Sequence, residues 1–154
     1  MRSEAEFVDS PEFRKGRLWE EQLKTMLEGM GYTVIRNREL PDLLITDNTR
    51  ALWLECKSKA RMRKHPATGF SQHHYDRYML TQELLGRPVI VAFNDVSEGQ
   101  VYGNTLDALD RHIYDHFQDE RTGQSIVTFD CDKAFVALDE PGNWRYFIDT
   151  ILES

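Results

Sequence analysis

Cysteine is scarce in this chain: Cys56 and Cys131 are the two thiols among 154 residues. Two thiols do not make a disulfide framework, so an apolar core must carry stability, and a reducing cytoplasm is the expected compartment. Long apolar runs are missing as well. No stretch approaches the roughly 20 residues needed to span a bilayer, and Met1-Arg2-Ser3-Glu4-Ala5-Glu6 is too charged for a signal peptide. Neither an internal repeat nor a low-complexity segment occurs. Surplus positive charge is absent too; the net charge of −7 counts mildly against a nucleic-acid partner. What is present is an ordinary apolar fraction of 40% with 11% aromatics, which fits a globular class, and a length that favours one domain.

The charge is unevenly spread. Residues 1–93 carry 15 basic and 13 acidic side chains, whereas residues 94–154 carry 4 and 13. Lys57, Lys59, Arg61, Arg63, Lys64 and Arg77 fall within one stretch that holds a single acid, Asp76. A local basic patch binds phosphates even on an acidic chain. The acidic C-terminal third would then face away from DNA and offer a surface for a partner protein or a second copy of the chain.

Periodicity gives the order of elements. Residues 1–11 read as a leader ending at Pro11. Trp19, Leu23, Met26, Leu27 and Met30 repeat at helical spacing within a helix over about 12–30, closed by Gly29 and Gly31. Tyr32 to Arg38 reads as a strand. Pro41-Asp42-Leu43-Leu44-Ile45-Thr46 and Leu52-Trp53-Leu54-Glu55-Cys56-Lys57 read as two more, joined by the turn Asp47-Asn48-Thr49-Arg50. Pro66 and Gly69 make residues 58–70 a basic loop. Ser71 caps a helix running to Leu85, stopped by Gly86-Arg87-Pro88. Val89 to Phe93 is a continuous apolar run, as in a buried central strand. Gln100 to Gly103 reads as a strand, and Thr105 to Phe117 as a helix with Leu106, Leu109, Ile113 and Phe117 near one face. Ser125 to Phe129 and Ala134 to Leu138 read as late strands; Trp144 to Leu152 fits either type. The order is α-β-β-β-α-β over about residues 12–94, followed by an α/β extension over 95–154.

The informative pattern is acidic. If the two middle strands pair through an Asn48-Thr49 turn, Asp47 faces Arg50, Thr46 faces Ala51, and Asp42 arrives opposite Glu55, with Cβ atoms about 5 Å apart. Carboxylates that close repel unless a cation separates them. Lys57, two residues after Glu55, points to the same face. Phosphodiester hydrolysis needs a deprotonated water, a stabilised transition-state charge and a neutralised leaving oxygen. Mg²⁺ held by a few carboxylate oxygens supplies most of this. Asp42, Glu55 and the backbone carbonyl of Cys56 are the candidate ligands, and Lys57 would assist the nucleophile.

Pro41-Asp42 followed by Glu55-Cys56-Lys57 resembles the signature of the PD-(D/E)XK nuclease superfamily, whose restriction-endonuclease-like core has the same αβββαβ order around a mixed sheet flanked by helices. The resemblance implies a Mg²⁺-dependent endodeoxyribonuclease, with Mn²⁺ able to substitute, in which metal-activated water leaves a 5′-phosphate. It also implies a further acid from the first helix, for which Glu20 is the candidate, and a Gln on the helix after the strands, for which Gln72 stands in position. Exonuclease-type members have Tyr four residues after that Gln; here the position is Asp76. The motif spacing is similar to that of small Holliday-junction resolvases, which act as homodimers in recombination, and of stand-alone repair or phage nucleases. The competing reading is a catalytically inactive DNA-binding or assembly protein that keeps the fold.

Each residue also has a plainer role. Glu20 fits a solvated helix surface nearly as well as a metal ligand, and Gln72 is balanced between helix-start polarity and substrate positioning. Arg17, Lys59, Arg61, Arg63, Lys64 and His73 are the candidate DNA contacts. Adjacent histidines, such as His73 and His74, diverge by about 100° on a helix and make a poor zinc pair. Trp53 fits core packing. Cys56 alternates to the face opposite Glu55 and suits burial rather than nucleophilic chemistry.

Overall fold

Val89 to Phe93 is apolar at every position because both of its faces are buried. Ile90 and Ala92 join one core, and Val89, Val91 and Phe93 join another. This strand lies inside a six-stranded mixed sheet of the computed structural model, which describes residues 11–154, with side chains from Gly16 onward. The expected leader over residues 1–11 lies outside the described residues apart from Pro11, which begins the first helix.

In chain order the elements are α1 (Pro11–Gly29), β1 (Thr33–Arg36), β2 (Leu43–Thr46), β3 (Ala51–Ser58), β4 (Ala67–Ser71), α2 (Gln72–Leu85), β5 (Val89–Asp95), β6 (Gln100–Thr105), α3 (Leu106–Asp110), β7 (Ile113–Gln118), β8 (Ser125–Asp130), β9 (Val136–Ala137) and α4 (Pro141–Glu153). The large sheet runs β1-β2-β3-β5-β6-β9, with β3 and β5 parallel and its other pairs antiparallel. A second, antiparallel sheet runs β4-β8-β7. The αβββαβ core is therefore present, with β4 inserted before its second helix. The C-terminal third adds two strands to the large sheet and two to the small one.

Helices cover the large sheet on both faces. Leu23 and Leu27 of α1 and Trp144, Ile148 and Leu152 of α4 bury against Leu43, Ile45, Leu52 and Leu54. Tyr75 and Tyr78 of α2, Leu106 and Leu109 of α3, and Val127 and Phe129 of β8 fill the opposite side. The segment Trp144 to Leu152, ambiguous in sequence, is helical. Among the described residues no helix is long and apolar enough to cross a membrane.

Two segments differ from expectation. The helix expected over Thr105–Phe117 stops at Asp110, and Ile113–Gln118 is a strand exposed along its whole length. The expected loop over 58–70 ends in β4, whose Ala67, Thr68, Gly69 and Phe70 are all buried. Gly69 is a strand residue at a close backbone approach: a Cβ there would lie 1.9 Å from the Val127 carbonyl oxygen and 2.7 Å from the Thr128 Cα. Gly69→Ala should therefore cost at least about 2 kcal/mol, as overpacking does. Chemical denaturation checks this, and a variant as stable as the parent would contradict the β4–β8 packing.

Candidate active site

The β2–β3 hairpin has the register read from the sequence. Leu43 faces Leu54, Leu44 faces Trp53, Ile45 faces Leu52 and Thr46 faces Ala51. The turn closes through Asp47 N–H to the Arg50 carbonyl at 3.2 Å. Asn48 takes the left-handed conformation, with φ 75°, that asparagine tolerates better than most residues. One step beyond Leu43 and Leu54, Asp42 comes alongside Glu55. Asp42 Oδ2 accepts the Cys56 N–H at 2.9 Å, which anchors this carboxylate to the β3 backbone.

Glu55 is 1% exposed. Burial, and then the carboxyl of Asp42 within hydrogen-bonding reach, push its pKa up to about 9. Tyr78 O–H donates to Glu55 Oε2, while among the described residues no donor reaches the buried Oε1. Lys57 Nζ stands 3.8 Å from Glu55 Oε2 and donates to His74 Nδ1 at 2.9 Å. It also lies 5.3 and 5.5 Å from the ring centroids of Phe70 and Tyr78. Desolvation lowers the Lys57 pKa against the opposing pull of Glu55 and Asp42. Desolvation and the Lys57 charge hold His74 down to about 4, so its imidazole is neutral at neutral pH and accepts from the ammonium.

This donor set fits a divalent cation. Two carboxyls are pressed together, and one buried oxygen lacks a donor among the described residues. Among the described residues no three His, Cys, Asp or Glu side chains converge as a closed cage. Mg²⁺ does not require one, because water and substrate phosphate complete its octahedron.

The other expected residues fall at varied places. Glu20 is 7% exposed on α1. Its pKa is raised first by burial and next by Asp42, so it neighbours the pair, but its carboxylate is held by Arg36 at 3.2 Å and Arg17 at 3.7 Å. Gln72 opens α2 and donates to Asp76 Oδ1 at 2.9 Å. It lines a polar cleft with Ser71, His73, His74, Gln124 and Ser125. His73 is exposed. Lys59 is exposed just after β3, and its Nζ donates to the Gly69 carbonyl at 2.6 Å. Arg61 is likewise committed within the protein, bonding Asp95 at 2.8 Å and Gln100 at 2.9 Å across the Tyr102 ring. Arg63 and Lys64 are exposed on the loop. Cys56 packs against the α1 core, and burial raises its pKa far above the usual thiol range.

The sequence reading missed His74 and Tyr78. Both reach the site from α2, where their i, i+4 spacing puts them on one face beneath the Ser71 cap, whose Oγ accepts the His74 N–H at 3.2 Å. That spacing was available as a signal. Tyr78→Phe removes the one donor that the described residues place on the Glu55 carboxyl; if Glu55 holds a metal for DNA cleavage, the rate should fall about 10- to 100-fold, as for a lost partner of a metal ligand, with DNA affinity unchanged. Activity equal to the parent in single-turnover assays would remove Tyr78 from the machinery.

No protein-family model and no curated protein sequence matches the chain. Solved structures do match. Hjc, a Holliday junction resolvase from the archaeal hyperthermophile Archaeoglobus fulgidus, is similar with a TM-score of 0.55 and 18% identity, over 80% of this chain and 92% of that one. D212, a nuclease from a fusselovirus, is similar with a TM-score of 0.50 and 12% identity, over 97% of both chains. Identities this low speak to architecture alone, and on that ground the chain shares its mixed α/β fold with this resolvase and this viral nuclease.

Proposed function

We propose that the protein is a Mg²⁺-dependent deoxyribonuclease that hydrolyses phosphodiester bonds in branched or otherwise structured DNA. The observation that carries this reading is the buried Glu55 carboxyl beside Asp42, with one oxygen that no described residue bonds and an ammonium 3.8 Å from the other. The nuclease and resolvase names of its structural neighbours support the choice of substrate.

In this mechanism Asp42, Glu55 and the Cys56 carbonyl hold the cation, and Glu20 supports it from α1. When bound, Mg²⁺ supplies the positive charge that polarises the phosphate and makes a water easier to deprotonate. Lys57 directs its ammonium at the oxygen that gains charge in the transition state. His74 keeps that ammonium in place by accepting one of its protons in a hydrogen bond. Tyr78 fixes Glu55, and Arg63, Lys64 and Arg17 meet flanking phosphates. Gln72 positions substrate once it leaves Asp76.

The test is incubation of supercoiled plasmid and four-way junction DNA with the protein in Mg²⁺ or EDTA. Cleavage should require the metal, be restored by Mn²⁺ and disappear in Asp42→Ala. Cleavage that survives Asp42→Ala would discard the site. DNA binding without cutting under every condition would favour the inactive DNA-binding reading.

A further inference from the structure

The exposed strand β7 and the basic loop after β3 meet in a small cavity that the cleavage chemistry does not use. Its volume is about 170 Å³, and Met62, His65, Tyr114, Asp115, Phe117 and Thr128 line it. Three of these six, His65, Tyr114 and Phe117, are aromatic. The His65 and Tyr114 rings lie 5.9 Å apart at 50°, with Tyr114 O–H 3.3 Å from His65 Nδ1. Tyr114 is 42% and Phe117 38% exposed, although both are large apolar rings that a monomer tends to bury. Beside them Arg63 and Lys64 project from the same loop as His65. That loop starts where β3 ends, directly after Glu55 and Lys57, so it leads from the candidate active site to the cavity.

Aromatic rings interleaved with cations are what a single nucleic-acid strand requires: faces for its bases and charge for its backbone. The cavity is below the roughly 300 Å³ at which drug-sized pockets begin, so it suits one planar ring rather than an extended ligand. Its polar edge is Asp115. One carboxylate oxygen accepts the His116 N–H at 2.8 Å, which leaves the other to accept from an exocyclic amino group.

We propose that the cleft between the 59–66 loop and strand β7 is a stacking pocket for one unpaired base of a DNA strand, with Asp115 favouring bases that carry an amino group over thymine. DNA as the ligand rests on the nuclease reading above; the pocket lies outside the carboxylate site. It would hold a base splayed out near a branch or a single-stranded end, while Arg63 and Lys64 bind the adjoining phosphates.

The experiment measures binding of dye-labelled oligo-dC and oligo-dT in EDTA, where no cutting intervenes. The parent should bind oligo-dC the more tightly. Tyr114→Ala should weaken oligo-dC binding about tenfold, the worth of one base stacked on a ring. Tyr114→Phe should stay within about twofold of the parent, and Asp115→Ala should bring the two affinities together. A 2-aminopurine placed in the oligonucleotide should be quenched by the parent and not by Tyr114→Ala. Size-exclusion chromatography of the same samples separates the competing reading, an interface between copies. Unchanged binding by Tyr114→Ala, or weaker binding that tracks dissociation of an oligomer, overturns the pocket. Failure of the nuclease reading looks different: oligonucleotide binding persists while Mg²⁺ elicits no cutting by the parent.

Discussion

Lys57→Ala is expected to lower Mg²⁺-dependent cleavage at least about 100-fold, the scale of losing one preorganised electrostatic contact to a transition state. DNA affinity should change little, because this ammonium sits in the interior rather than on the phosphate-facing surface; its side chain is 16% exposed. Glu55 Oε2, His74 Nδ1 and the faces of Phe70 and Tyr78 surround it. Lys57→Arg should not restore the rate. A planar guanidinium does not fit a cage shaped around a compact ammonium, so the exchange is not conservative here. Single-turnover rates with saturating protein separate chemistry from binding. An alanine variant within threefold of the parent would move the catalytic charge elsewhere.

Glu55→Gln should separate stability from activity. In the unfolded chain this carboxyl titrates near the ordinary 4.5; in the folded protein it titrates at about 9, mainly because it is buried and next because Asp42 is adjacent. The folded state therefore binds the proton more tightly. The stability of the metal-free protein is full below about pH 4.5 and falls as pH rises towards 9. The lowered pKa of Lys57 acts in the opposite sense, restoring some stability between that lowered value and its usual 10.5. Glutamine keeps the shape, can donate to Asp42 and accept from Tyr78, and carries no charge. In EDTA at pH 8 the variant should melt at least about 3 °C above the parent, a shift of order 1 kcal/mol for this chain length. Mg²⁺ should reverse the order. It should raise the parent's melting temperature more at pH 8 than at pH 6, because cation and proton compete for Glu55, and leave the variant almost unmoved. Cleavage by Glu55→Gln should be lost. Thermal melts across this pH range decide the matter: a parent that grows more stable from pH 5 to 9 in EDTA would refute the buried-carboxyl argument.

What was legible in the sequence was what local rules govern. The Asp42–Glu55 register followed from period-two alternation and a turn of fixed length, and the Ser71 cap and Gly86 stop bound α2 as read. What was misread depended on distant partners. Strand β7 looked helical because Leu106, Leu109, Ile113 and Phe117 happen to be spaced that way; exposed throughout, it has no buried face to impose alternation. β4 looked like a loop because Gly69, chosen for its lack of a Cβ under Val127, carries the same letter as a turn glycine. Arg61 looked like a phosphate ligand, yet Asp95, 34 residues on, claims it. Burial works against ionisation of that acid, but hydrogen bonds from Ser97, Tyr102 and Arg61 prevail and hold it well below the usual carboxylate range. The bond from Lys59 to the Gly69 carbonyl has no signature in a linear string, whereas the i, i+4 spacing of His74 and Tyr78 was one.

The pairing of β4 with β8 ties the Asp42, Glu55 and Lys57 cluster to the C-terminal third of the chain. Every motif acid and the lysine are encoded before residue 60, but the wall that steadies them, Phe70 with His74 and Tyr78, leans on Val127 and Phe129. A gene fragment cut after β5 would carry the whole signature and lack its buttress. Grafting experiments on this architecture must therefore transplant both ends of the polypeptide together.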